Sequence, residues 1–203
     1  RGAAEGVYIT TSGVGLVPEG VDIRSSRAVP GDVLVVNGPI GDHEAAVLLA
    51  RGEFSLQGEM LSDCAPLNGL VKTMLDACSD IHVLRDPTRG GLATTLWEIA
   101  NASKVGVVLN EPKIAVRDAV RGVCDLLGFD PYYLANEGKL VAFVPPKEAE
   151  SVLGAMKTDP LGVESMIIGK VIDKNPGRVL LKTEIGGHRL LEPLSGVQFP
   201  RIC

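Results

Sequence analysis

The sequence predicts an α/β (α+β) layered sandwich built on a mixed sheet. Short apolar runs that suit buried strands alternate with amphipathic helical stripes from residue 31 onward. Two alternating stretches then flank Asp173-Lys174-Asn175-Pro176-Gly177, and an antiparallel hairpin there makes the sheet mixed rather than purely parallel.

Residues 1–30 are rich in Gly and Ser, carry Pro18 and Pro30, and read as a connector with one short strand at most, Gly6 to Thr11. Because the chain starts at Arg1 rather than Met, just ahead of that strand-like stretch, it reads as a fragment of a longer protein, with an artificial boundary or a processed start as the alternatives. Val33-Leu34-Val35-Val36 is a buried strand closed by the turn signal Asn37-Gly38-Pro39. A helix capped by Asp42 is expected to run to about Arg51 before Gly52, followed by a loop over 53–65. Leu67, Leu70, Val71, Met74, Leu75 and Cys78 then form one helical stripe, and Ile81 to Leu84 a strand.

Asp86-Pro87-Thr88-Arg89-Gly90-Gly91 opens a third helix whose buried face is Leu92, Leu96 and Ile99. Val105 to Leu109 reads as a strand, and Val116, Ala119, Val120, Val123, Cys124 and Leu127 mark a fourth helix. Leu140 to Val144 is a strand ended by Pro145-Pro146, and the helix from Lys147 buries Ala149, Val152, Leu153 and Met156. The expected hairpin pairs Met166–Ile172 with Arg178–Thr183. Pro193, Gly196 and Pro200 make 186–203 an expected extended tail. The chain therefore divides into a connector (1–30), an α/β domain (31–185) and a tail (186–203) that carries the terminal Cys203.

A hydrophobic content of 45% over 203 residues is enough for a packed core. A net charge of −5, with no block of five Lys or Arg, argues against nucleic acid or an anionic membrane as the main partner. No apolar run is long enough to suggest a spanning helix, and the expected location is the cytoplasm. The four cysteines, Cys64, Cys78, Cys124 and Cys203, match no CxxC or zinc-ribbon spacing and are expected as thiols. Cys78 and Cys124 fall on apolar helical stripes, as small buried hydrophobes do.

Three places could carry chemistry. In 86–91, two glycines between a strand and a helix allow backbone N–H groups to approach an anion, Thr88 could cap the helix, and Arg89 supplies a planar cationic donor. The plain alternative is a capped tight turn. No GxxxxGK occurs, so a Walker-type loop is excluded. Asn136-Glu137-Gly138 precedes a strand, so Glu137 could project from the sheet edge as a general base, or be an ordinary solvated turn carboxylate. His43, His82 and His188 share no metal spacing and read as structural, leaving no metal site on this chain. Cys203 ends a Pro- and Gly-containing tail, where a thiol is sterically free to be presented to another protein or to a pocket, or is simply a dispensable end.

Asp86-Pro87-Thr88-Arg89-Gly90-Gly91-Leu92-Ala93, Ala135-Asn136-Glu137-Gly138 and the ending Pro200-Arg201-Ile202-Cys203 together resemble, in that order, the signature segments of the HypE family of hydrogenase maturation proteins. The opening Tyr8 to Gly15 is similar to the connector between that family's two domains, and the resemblance extends over essentially the whole chain. The terminal Pro-Arg-Ile-Cys distinguishes HypE from aminoimidazole ribonucleotide synthetase, selenophosphate synthetase and thiamine-monophosphate kinase, which share the fold.

The resemblance implies the C-terminal part of an ATP-dependent carbamoyl dehydratase. The HypF carbamoyltransferase would load a carbamoyl group on Cys203, ATP would activate its oxygen, and loss of phosphate would leave a thiocyanate. The cyanide would pass to iron on the HypC–HypD scaffold for nickel–iron hydrogenase. Cys203 matches the family's carrier and Glu137 its base, with Asp86, Thr88, Arg89, Gly90, Gly91 and Asn136 as candidate nucleotide contacts. The family's acidic magnesium ligands and most of its ATP contacts belong to an N-terminal domain that this sequence lacks. ATP and magnesium are therefore implied for a full-length homodimer, with binding by these 203 residues alone doubtful. Two other readings stand beside it: a non-catalytic carrier module presenting Cys203, or a piece of another synthetase or kinase of the superfamily.

Overall fold

The computed structural model describes residues 9, 10, 12–52 and 60–193. Within them the strands are β1 (Val33–Val36), β2 (Val83–Arg85), β3 (Gly106–Asn110), β4 (Val141–Val144), β5 (Met166–Ile172), β6 (Val179–Lys182) and β7 (His188–Leu191). The helices are α1 (Asp42–Arg51), α2 (Asn68–Ala77), α3 (Gly91–Ser103), α4 (Asp118–Leu127) and α5 (Ala149–Met156). One mixed sheet runs β2-β4-β1-β5-β3-β6-β7, antiparallel at every pairing except β3 with β6.

The continuous apolar runs are explained by burial on both faces. Along β1, Leu34 and Val36 face the cluster under α3, while Val35 faces the one under α2 and α5; along β4, Val141 and Phe143 go to the first and Ala142 and Val144 to the second. Leu92, Leu96 and Ile99 of α3 are fully buried, as their spacing predicts. Leu70 and Met74 of α2, with Cys78 just after it, join the opposite layer. A third, smaller cluster joins Ala45 of α1 to Val120 and Cys124 of α4 and to Leu134. Burial pushes both core thiols up from their ordinary value, Cys124 to about 11, so neither is a nucleophile at neutral pH.

The expected hairpin is not formed. β5 and β6 run in opposite directions, but β3 lies between them, paired to both. The Asp173–Gly177 turn is present, yet it arches over the start of β3 instead of joining neighbours. Two strand spacings, roughly 9.6 Å, are within reach of five residues. Gly106 makes the crossing possible, since a Cβ there would lie 2.0 Å from the Lys174 carbonyl oxygen. Gly177 N–H donates to Val105 O and Val107 N–H to Arg178 O, stitching the arch to the strand beneath it. The tight antiparallel partner of β6 is instead β7, so the extended tail expected from 186 begins as an edge strand.

Smaller differences have local causes. β2 starts at Val83, and Ile81, two residues earlier, is buried ahead of the ladder. Helix α4 starts at Asp118, leaving Val116 ahead of it and Ala119 on the exposed side. Asp42 does not cap α1. The cap is Gly41 in a left-handed conformation, and Asp42 is the first helical residue, held by Arg117 Nε at 3.1 Å. Most of the strand-like stretch Gly6 to Thr11 and all of 194–203, Cys203 included, lie outside the described residues.

Candidate functional site

Sheet register gathers the motifs at one end of the sheet. Arg85 at the end of β2 is opposite Val141 at the start of β4, and Val141 is also opposite Val36 at the end of β1. The loops 86–90, 134–140 and 37–41 therefore emerge side by side. A cavity of about 460 Å³ opens there, lined by Arg85, Thr88, Arg89, Thr95, Glu98 and Glu137. Of the residues singled out in the sequence, Thr88, Arg89 and Glu137 thus share one wall.

The 86–91 loop is shaped by its glycines. Gly90 caps α3 at φ 71°, and Gly91 follows at φ 59°, both conformations that favour glycine. A Cβ on Gly91 would lie 2.5 Å from Leu134 O and 2.7 Å from Tyr132 O, so its bareness lets the two motif loops touch. Its N–H donates to Thr88 O, which makes Gly91 a packing residue rather than an open anion donor. Thr88 does not cap the helix; its hydroxyl donates to Asp86 Oδ2 at 3.1 Å. Arg89 is exposed and has no ion-pair partner among the described residues, whereas Arg85 is held by Glu98 at 2.8 Å. Arg89 is therefore the cation left for a ligand in this cavity.

The 134–140 loop is held by side chains from far along the chain, because a loop has no ladder to satisfy its own amides. Glu44 accepts the Ala135 N–H, and Ala135 O accepts the Glu44 N–H. Asp63 Oδ1 accepts the Glu137 N–H at 3.0 Å. Asn37 donates to Gly138 O at 3.1 Å and accepts Leu140 N–H at 2.8 Å. Asn136 is fully buried, accepting from Gly41 N–H and donating to Pro87 O and Leu134 O. Its amide thus ties three loops together and does not face the cavity. The Glu137 carboxylate, half-buried, has no partner among the described residues and points its chemistry at the cavity.

Burial pushes the Glu44 carboxyl up, opposed by the Ala135 N–H; burial also raises Asp42, opposed by Arg117. Asp63, Asn37 and Glu44 were not picked out from sequence. They carry no local signal, lying between 74 and 103 residues from the atoms they hold. Thr95 and Glu98, by contrast, follow Gly91 on one helical face and were within reach of spacing rules. His82 is structural, with Nδ1 2.9 Å from the buried Asp32 Oδ2. Among the described residues no group of three or more His, Cys, Asp or Glu is placed to hold a metal ion, and no helix is long and apolar enough to cross a membrane.

Residues 29–182 match the family model of the AIR synthase related protein, C-terminal domain. Over its full length the chain is 46% identical to carbamoyl dehydratase HypE of Rhodobacter capsulatus, and covers 60% of that protein. A crystal structure of HypE in complex with ATP superimposes with a TM-score of 0.83 at 43% identity, covering 89% of this chain and 55% of that one. HypE in a HypE–HypF complex gives a TM-score of 0.82 at 40% identity, over 87% of this chain and 57% of its counterpart. The chain spans about three fifths of the length of the curated relatives it matches.

Proposed function

The chain belongs to the AIR synthase related family and corresponds to the C-terminal part of HypE, and from that premise we propose that it is part of an ATP-dependent dehydratase acting on a carbamoyl group carried by Cys203. The reading is carried by one observation: the cavity joins Arg89 of one motif to Glu137 of the other, neither side chain having a partner among the described residues. The carbamoyl oxygen attacks the γ-phosphorus of ATP and ADP leaves. The C–O bond then breaks with phosphate departing, while nitrogen loses two protons and forms the C≡N triple bond. One thiocarbamate and one ATP thus give one thiocyanate, ADP, phosphate and a net proton.

Each part of the wall suits a step. Oxygen is a poor leaving group until phosphorylated, and Arg89 offers a planar donor pair to the phosphoryl oxygens. The amide nitrogen needs a base in reach, and Glu137 is a carboxylate whose backbone is fixed while its oxygens stay open. Thr88 is committed to Asp86, so it orders the loop rather than the substrate. No step is assigned to magnesium through these residues, as the described donors do not fit it.

The relative solved with HypF supports a carbamoyltransferase of that kind as the donor to Cys203. The HypC–HypD scaffold as acceptor, a homodimeric full-length protein and a cytoplasmic location complete the proposal, with the segment after β7 as the arm for the thiol. The test is intact-mass analysis of the full-length protein incubated with the carbamoyltransferase, carbamoyl phosphate and ATP. The expected product gains a carbamoyl group at Cys203 and then loses one water; Glu137→Gln stops at the carbamoyl stage. A modification that maps elsewhere, or a loading that survives Cys203→Ala, overturns the assignment.

A further inference from the structure

Asp63 stands out because its carboxylate is almost completely buried yet serves no element of its own. Its side chain is 3% exposed, with Oδ1 on the Glu137 N–H and Oδ2 3.4 Å from Lys139 Nζ, itself 12% exposed. Oδ2 has no hydrogen-bond partner among the described residues, so the Lys139 charge is what offsets its burial. One carboxylate therefore grips residues i and i+2 of the motif loop. Its own backbone closes the grip, because the Asp63 carbonyl oxygen would lie 1.6 Å from a Cβ on Gly138. Lys139 extends into a second cavity with Asn37, Asp63 and Glu164, away from the one that Glu137 lines.

We propose that Asp63, locked by Lys139, is a positioning residue that aims the Glu137 carboxylate into the cavity. This rests on the reading of Glu137 as the base. An apolar residue at 63 would fill the space but leave the Glu137 amide without an acceptor, freeing rotation of the peptide that carries the base. The bridge reaches across 74 residues and ties the 60–65 segment to the site, so that segment becomes part of the catalytic support.

The test uses full-length protein already carbamoylated on its C-terminal thiol, followed by mass spectrometry through a single ATP-dependent dehydration. Asp63→Ala is expected to slow dehydration by on the order of 100-fold with little change in the ATP concentration needed for half-maximal rate. Asp63→Asn, which keeps an acceptor oxygen, should recover most of the rate. In a Glu137→Gln background Asp63→Ala should add almost nothing, since the two act as one unit. Amide exchange should show Glu137 deprotected in Asp63→Ala and protected in Asp63→Asn; if the alanine variant does not fold, Asp63→Leu, which fills the space without an acceptor, carries the same comparison. Full rate in Asp63→Ala, or an undiminished effect on top of Glu137→Gln, overturns the positioning role while leaving the base intact. A normal rate in Glu137→Gln alone overturns the base, and the positioning role with it.

Discussion

Two loops meet at the cavity and are built in opposite ways. The 86–91 loop holds its shape largely through its own backbone, with left-handed glycines, a tight turn and a Thr88-to-Asp86 bond, and takes one outside clasp, where Pro87 O accepts from Asn136. The 134–140 loop holds its shape through other parts of the chain, with Glu44 and Asp63 each answering one of its amides, Asn37 answering a carbonyl and an amide, and Asn136 reaching back to Gly41. The difference fits the task of each. A phosphate-facing arginine tolerates some freedom, because charge attracts over distance, whereas a base must sit within hydrogen-bond reach of its proton.

The largest effect in the first loop comes from backbone. Gly91→Ala places a Cβ against two carbonyl oxygens at a positive φ and should cost about 3 kcal/mol of unfolding free energy. Urea denaturation reads it directly, and a loss near zero would show that residues 132–134 simply move aside.

In the second loop the largest effect comes from a side chain. Asn136→Ala leaves the Gly41 amide and the Leu134 carbonyl without partners, while Pro87 O keeps the backbone N–H of residue 136, and should cost about 2 kcal/mol. A cost no greater than that of Thr88→Val would erase the contrast.

A smaller effect appears in pH dependence. The Glu44 carboxyl is raised above its ordinary value of 4.5 chiefly by burial, so the folded protein binds that proton more tightly than the unfolded chain. Its contribution is therefore complete below the ordinary carboxylate range and is lost as pH rises through its folded value. Gln at 44 keeps a neutral acceptor for Ala135. Glu44→Gln should gain stability relative to the unsubstituted protein as pH rises above the ordinary Glu value of 4.5, read as a widening gap in urea midpoints. A constant gap would mean the carboxylate is not disfavoured by burial.

The smallest effect belongs to Thr88→Val, which removes only an exposed hydroxyl-to-carboxylate bond and should stay within about 0.5 kcal/mol. A loss of a kilocalorie or more would make the first loop side-chain-clamped as well.

The same contrast explains how much of the site could be read from sequence. Gly90 and Gly91 announce a special turn, and Glu137 sits in a short motif before a strand, so both were visible locally. That Arg89 and Glu137 share a cavity follows from β2 pairing with β4, a contact between stretches nearly sixty residues apart. Asn136, picked for the same motif, turned out to be spent on holding loops, and nothing in its neighbours distinguishes an amide facing inward from one facing a ligand.

The sequence by itself determined the elements. Apolar period and turn residues specified β1 to β6 and α1 to α5 to within a few residues, because side-chain period is a local property of the chain, while the short 3-10 turns at Glu111–Lys113 and Pro131–Tyr133 left no such mark. Only the tertiary structure decided which strands are neighbours. An Asp-Lys-Asn-Pro-Gly turn between alternating strands looks the same whether they pair directly or enclose a third, since both arrangements reverse the chain. β3 entered that gap because Gly106 leaves room beneath the arch and because both of its edges then find partners. The clamps on Glu137 were settled in the same way: a buried amide takes whichever acceptor the packed layers bring within 3 Å, and Asp63 arrives there through the fold, not through its place in the chain.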